Sequence, residues 1–587
     1  MKKTFLLSCL MLAAMPVMAA YTGHVYVDKN KNGVFDQSEK PLAGIKVSDG
    51  LNVVETAADG SFTLPGHERE RFIFITTPSG YKTFNRHYHK IEKKQSGYDF
   101  GLIPYSGRIR KDGSHRYIHI TDTEIFNTEN HADWVNNVRD YARNEQAAFI
   151  IHTGDICYEK GLKAHIKLMN TENMDCPVFY CIGNHDLVKG KYGEELFESI
   201  YGPVYYSFDA GNVHYIVTPM PGGDHAPGYT ADDVCRWLKN DLAHIRPGTP
   251  VVVFNHDLLT YEDAFIFKSK NAGSINLNEH NLKAWVYGHW HINYMKKQGD
   301  VYSVCTSSLD KGGIDHSTTA FRVMHVDSKG DFTSELRYTY LDKNICIASP
   351  AGVMASGVLP VAVNVYSSVS PVREVLYTCL ADGKPVLKNK RLLQSTDWSW
   401  NGELPLSHKY VGKELTLRVT ARFNNGEIAE AESNFICRTE KTVPLFSADW
   451  DNLSGNAKHS APVSAPLNLP LQLAWTNNVG ANLYMTSPLI HKGKVIVASV
   501  DEDLKGAGHV YALNGKDGTI LWSCPVRNSI KNSIAVDSDI VFAQDAQGFL
   551  YAIDTETGKL CWEKQLPVNG LPALICLLYT SPSPRDG

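Results

Sequence analysis

Beyond its first twenty positions the chain has no run of about 18 uninterrupted apolar residues, the least that a membrane-spanning helix needs, so no stable span is expected. It also lacks a lysine-rich block. With 58 Lys and Arg against 63 Asp and Glu, the net charge of −5 is small for 587 residues and implies neither nucleic acid nor an anionic membrane as partner. Its twelve cysteines are scattered without the compact spacing of a disulfide framework. Cys181 lies inside an apolar run and reads as buried and free.

What is present begins at the N-terminus. Lys2 and Lys3 precede an apolar stretch from about Phe5 to Met18, and Ala19 and Ala20 close it with small residues. This is the pattern of a secretory signal peptide over 1–20, so an exported protein is expected, with the periplasm favoured over the exterior. A chain of 587 residues with 43% hydrophobic content is too long for one core, so several domains follow.

Five polar clusters each come directly after an apolar, strand-like run. They are Asp122-Thr-Glu124 after RYIHIT, Gly154-Asp155-Ile-Cys-Tyr158 after AAFIIHT, Gly183-Asn184-His185-Asp186 after PVFYCI, His256 after PVVVFN, and Gly288-His289-Trp-His291 after LKAWVY. The 33 positions from Asp122 to Asp155 leave room for a crossover helix, and Trp134, Val138 and Tyr141 form an apolar stripe within 131–145. Open α/β sheets bind ligands beyond the carboxyl ends of their strands. Residues far apart in sequence are thereby expected to converge. Carboxylates with imidazoles suit Zn, Mn or Fe, and one carboxylate, here Asp155, can bridge two cations. Taken singly, a His-x-His pair or a Gly-Asp dipeptide is as well explained by strand or turn chemistry.

The ordered set resembles the calcineurin-like metallophosphoesterase family, whose pattern runs D-x-H, G-D-x-x-[DYN], G-N-H-[DE], a lone His, and G-H-x-H, over about 106–345. The resemblance implies a four-layer αββα core and attack on phosphorus by a metal-bound hydroxide. It implies one metal on Asp122, Asp155 and His291 and a second on Asp155, Asn184, His256 and His289. His185 is implied as the catalytic acid near the leaving oxygen, with Asp186 beside it as its hydrogen-bond partner. Glu124 departs from the pattern, standing where the family usually has a histidine ligand. Tyr158 fits the G-D-x-x-Y of purple acid phosphatases, where the tyrosine is a ligand to iron. Both are carried as metal candidates.

The flanks read as all-β, giving a multidomain α/β plus all-β architecture. Residues 21–105 alternate as short strands of a β-sandwich. Within them Asp28, Asn30, Asn32, Val34, Asp36 and Glu39 have the spacing of a twelve-residue calcium loop, similar to those of bacterial surface repeats, with a plain Asn- and Gly-rich turn as the alternative. A second β-sandwich is expected over 346–440. In 441–575, VYALNGKDGTILW from Val510 recurs as LYAIDTETGKLCW from Leu550, a period of 40 residues. This resembles a PQQ-like β-propeller, partial here, with no quinone expected. The segment 576–587, CLLYTSPSPRDG, resembles a translated sequencing adapter, and a longer native gene is expected.

The leading expectation is an exported hydrolase of a phosphate monoester or diester with two divalent or Fe/Zn/Mn-type ions. The alternatives are a purple-acid-type phosphomonoesterase, or a scaffold without turnover whose propeller binds a glycan or protein.

Overall fold

The computed structural model describes residues 20–439, 449–456, 460 and 473–566, apart from 68, 94, 96 and 485. The expected signal peptide, up to residue 19, and the expected adapter segment, 576–587, lie outside the described residues, as does most of the stretch that opens the repeat region. Among the described residues no helix is long and apolar enough to cross a membrane.

Two sheets build the central domain. In one, the strands Val178–Tyr180, Phe149–His152 and His115–Ile120 run parallel, and Ala320–Val326 and Phe332–Tyr338 extend the sheet antiparallel. In the other, Val213–Val217, Val251–Phe254, Leu282–Tyr287 and Val301–Cys305 are parallel, with antiparallel strands Tyr206–Ala210 and Tyr294–Gln298 at the edges. An aromatic core joins the sheets. Phe179 stacks on Phe208 at 3.8 Å between centroids, and Phe149 meets Tyr215 edge-on at 5.0 Å. Such pairs add roughly 0.5–1.5 kcal/mol each beyond the apolar area they bury.

The helix expected near 131–145 spans Ala132–Asn144, and its buried stripe includes Trp134, Val138 and Tyr141. That stripe shares a core with Ile118, Ile150 and Val323 of the first sheet. On the second sheet packs the helix Ala231–Ala243, which starts at a capping box of Thr230 and Asp233 and buries Trp237, Leu238 and Leu242. A box of this kind satisfies backbone N–H groups that the first helical turn leaves without partners.

Before this domain, strands from Tyr21–Val27 to Phe100–Pro104 form two small sheets around Val25, Val47, Phe62, Ile73 and Leu102. In the acidic loop Asp28 Oδ2 accepts from Gly33 N–H at 3.0 Å, Asn32 Oδ1 from Val34 N–H at 2.8 Å, and Glu39 Oε1 from Lys29 N–H at 2.9 Å. Asp36 Oδ2 accepts from Asn30 at 2.7 Å. Arg71 ties this unit to the central domain through Glu194 at 2.8 Å and Glu198 at 3.2 Å.

After it, two sheets over 344–438 enclose a second all-β core around Val363, Leu404, Leu417 and Phe435. The repeat region forms two four-stranded sheets, Leu489–Pro525 and Ala535–Gln565, as the 40-residue period predicts. Trp522 faces Ala512 across its strand pair as Trp562 faces Ala552. Each repeat also roofs the one before. Trp475 donates its indole N–H to Gly515 O at 2.9 Å, and Trp522 does so to Thr555 O at 3.0 Å.

All ten cysteines among the described residues are free thiols, and Cys181 is fully buried.

Candidate metal centre

The five polar clusters leave the carboxyl ends of strands from both sheets, and the fold brings them together. Asp122 follows the strand His115–Ile120, Asp155 follows Phe149–His152, His256 follows Val251–Phe254, and His289 and His291 follow Leu282–Tyr287. The His-x-His pair therefore lies beyond its strand in a turn, where both residues adopt left-handed backbone angles, rather than on one strand face.

Ligand atoms of Asp155, His256 and His289 lie within 4.8 Å of one another, and so do those of Glu124, Asp155 and Cys157. Asp155 belongs to both groups. His256 Nε2 is 3.1 Å from Asp155 Oδ2 and 4.0 Å from Asp122 Oδ1, while His291 Nε2 is 3.2 Å from Asp122 Oδ1 and 3.6 Å from Glu124 Oε1. These separations suit side chains converging on a common cation.

Orientation is set by the backbone around them. His256 Nδ1 lies 2.7 Å from the Thr153 carbonyl, so it carries a hydrogen there and Nε2 is turned to the carboxylates. Asp122 Oδ2 accepts from Thr121 Oγ at 2.7 Å and from His289 N–H at 3.0 Å, leaving Oδ1 turned inward. Asp155 Oδ1 accepts from His185 N–H at 3.0 Å. The glycines are there for space. A Cβ on Gly183 would stand 2.2 Å from Asp155 Oδ1, and one on Gly288 2.5 Å from Asp122 Oδ2.

Three buried atoms test whether a cation fits. Asp122 Oδ1, Asn184 Oδ1 and His256 Nε2 make no well-directed hydrogen bond among the described residues, the approaches of His291 to Asp122 and of His256 to Asp155 being ion-pair contacts. Leaving a buried acceptor unsatisfied costs on the order of 1–3 kcal/mol, more when it is charged. A divalent ion with N and O ligands would satisfy all three. Burial alone would depress the His256 imidazole, yet the charges of Asp155 and Asp122 raise it to about 10. Burial likewise opposes charge on Asp122, but His291 and His256 hold its carboxyl below the usual range. The cavity is thus an anionic one that demands a positive charge.

One expectation about its rim is revised. Asp186 does not pair with His185. Its carboxylate accepts from the backbone N–H groups of Cys157 and Gly183, each at 2.9 Å, and burial and the Asp155 charge raise its pKa to about 7. His185 Nδ1 instead lies 2.9 Å from Asp224 Oδ2. Burial lowers the His185 pKa, but Asp224 and Asp155 together raise it above its ordinary value. Tyr158 sits at the rim, 44% exposed, its ring stacked on Phe126 at 6.2 Å and tilted against His185 at 5.4 Å. Burial and the neighbouring thiol and carboxylates raise its phenol.

Sequence reading missed Asp224 and Lys311, neither of which belongs to a strand-end motif. It also passed over the histidines inside the preceding runs. His119 Nε2 lies 2.8 Å from Thr153 Oγ1, and His152 Nε2 lies 3.0 Å from Thr123 Oγ1, both fully buried beneath the cluster. A histidine within an otherwise apolar strand was the available signal.

Comparison with known families follows this geometry. Residues 115–293 match the family model for calcineurin-like phosphoesterase, and residues 29–104 match that for the N terminal of calcineurin-like phosphoesterase. The central unit is a calcineurin-like phosphoesterase domain. Its match covers every motif from Asp122 to His291. Residues 472–574 match the repeat model for outer membrane protein assembly factor BamB, in agreement with the PQQ-like reading of the repeats. No curated protein matches the chain.

Similar solved structures include a quinohemoprotein alcohol dehydrogenase from Pseudomonas putida HK5, at 20% identity and TM-score 0.17, covering 20% of this chain and 19% of that one. The chain thus spans about a fifth of that relative's length. A predicted phosphoesterase from Streptococcus pneumoniae TIGR4 matches at 11% identity and TM-score 0.18, over 38% of this chain and 98% of that one. BamB from Moraxella catarrhalis matches at 12% identity and TM-score 0.12, over 41% and 58%.

Proposed function

We propose that the chain hydrolyses a phosphate monoester or diester with a pair of metal ions held at the strand ends of the phosphoesterase domain. Asp122, Asp155, His291 and Glu124 would hold one ion, and Asp155, Asn184, His256 and His289 the other. Bound there, two cations would supply Lewis acidity for the phosphoryl oxygens and acidify water. The observation that carries this reading is the trio of unsatisfied buried atoms, Asp122 Oδ1, Asn184 Oδ1 and His256 Nε2, drawn from both sheets and lying among carboxylates.

The protein's own groups supply the remainder. His185 is placed to stand by the substrate with its Nδ1 against Asp224, which favours the charged imidazole and leaves Nε2–H to donate to a departing oxygen. Its backbone N–H meanwhile holds Asp155 in place. Asp186 ties the backbone of Cys157 to that of Gly183 and thereby fixes the approach of both motifs.

The test is turnover of p-nitrophenyl phosphate and its bis ester by the full chain after loading with Mn2+. Hydrolysis of either, abolished by chelation and restored by Mn2+, is the expected result. Metal uptake with no turnover on either ester would count against the hydrolase and favour a binding scaffold.

A further inference from the structure

Glu124 occupies the position where an imidazole ligand would leave the metal site less negative, and a lysine from a distant loop meets it there. Lys311 Nζ donates to Glu124 Oε2 at 3.1 Å, to the Glu124 carbonyl at 3.2 Å and to the Thr123 carbonyl at 3.1 Å. Glu124 Oε1 points the other way, 3.6 Å from His291 Nε2. One oxygen faces the lysine and the other faces the site.

The lysine is presented from a closed support. Gly312 N–H donates to Ser308 O at 3.0 Å, Ser308 Oγ donates to Asp310 Oδ1 at 2.8 Å, and Leu309 O accepts from Thr339 Oγ at 2.9 Å. The segment it grips is the one whose residues Asp122 and Glu124 have φ of 51° and 42°. Charge closes the argument. Asp122, Asp155 and Glu124 bring three negative charges, and Lys311 returns the sum to that of two aspartates with a neutral imidazole.

Resting on the two-cation reading above, we infer that Lys311 is a positioning residue that makes Glu124 a metal ligand. It aims the carboxylate at the ion shared with Asp122 and His291 and offsets the charge that a carboxylate adds in place of histidine. Because the pair is partly exposed, with the lysine side chain 41% accessible, its role lies in orientation more than in stability.

Mn2+ titration of the metal-free full chain by calorimetry tests this, with circular dichroism as the control for folding. Wild type is expected to bind two ions. Lys311→Met should weaken one of them by about ten- to a hundred-fold, as outer-layer losses at metal sites do, and Glu124→Gln should weaken the same one. The double variant Glu124→His with Lys311→Met should regain it, since an imidazole needs no cation to orient or neutralise it. Wild-type affinity for both ions in Lys311→Met, or in Glu124→Gln should Lys311→Met not fold, would overturn the positioning role alone. So would a double variant as weak as Lys311→Met. A wild-type chain that binds fewer than two ions would overturn the two-cation reading and this role with it.

Discussion

Asp122, Glu124, Asp155, Cys157, Tyr158, His289 and His291 all hold φ between 42° and 74°, a region that side chains other than glycine rarely enter. Each such residue costs on the order of 1–3 kcal/mol, which local bonds must over-determine. Here they do, with Asp122 N–H donating to Gly154 O at 3.0 Å and Glu124 N–H to Asp155 O at 3.2 Å. The tightness of the packing gives a prediction. Gly183→Ala should push Asp155 aside, lowering Mn2+ affinity at least tenfold while circular dichroism stays native; unchanged affinity would show that the loop has slack. At this scale the sequence disclosed the residues that sit in ordered motifs after strands, because a strand end fixes where its next residues go. It could not disclose Asp224, which reaches His185 from 39 positions away. Adjacency misled in the same place, since His185 and Asp186 follow one another in a turn and their side chains diverge.

Among elements, the alternation of apolar runs with a helical stripe was legible, and the helix Ala132–Asn144 came within a residue of its expected bounds. The contact that pins the helix Ala231–Ala243 to the second sheet was not, because it depends on a histidine buried between two acids. His214 Nδ1 is 2.6 Å from Asp209 Oδ1 and its Nε2 is 2.8 Å from Asp241 Oδ2. Burial opposes the charged ring, but Asp241 and Asp209 outweigh it and raise the pKa from 6.5 to about 9. A folded pKa above the unfolded one stabilises fully below pH 6.5 and loses that contribution as pH rises through 9. The shift corresponds to about 3 kcal/mol. Urea titrations at pH 6 and pH 9.5 should therefore show the gap between wild type and His214→Asn shrinking by roughly that amount. A constant gap would mean that the ring is neutral in the fold.

For the whole molecule, the expected boundary at 345/346 falls inside the strand Asn344–Ser349, and the sequence did not reveal how the repeat region meets the phosphoesterase domain. Lys531, buried in the repeat region, lies 2.7 Å from Asp315 Oδ2 and 2.5 Å from Glu502 Oε1, and donates to Asn293 O at 2.5 Å. Burial works against the ammonium, but those two carboxylates keep it charged. Asp315 accepts from Ser317 Oγ at 2.6 Å in the loop whose Ile314 N–H donates to His291 O at 2.9 Å. The contact thus reaches a candidate ligand. Removing one partner of a buried ion pair costs about 3–5 kcal/mol. Lys531→Met should lower the urea midpoint by a corresponding amount, and adding Asp315→Asn and Glu502→Gln should recover part of it; no loss in the single variant would show the contact to be wet.

That shared lysine also bears on how the gene can be divided. An open reading frame stopped before the repeats would encode every candidate ligand and still deliver Asp315 to solvent without its counter-ion, beside the loop of His291. The smallest piece worth expressing is accordingly larger than the piece that carries the candidate ligands.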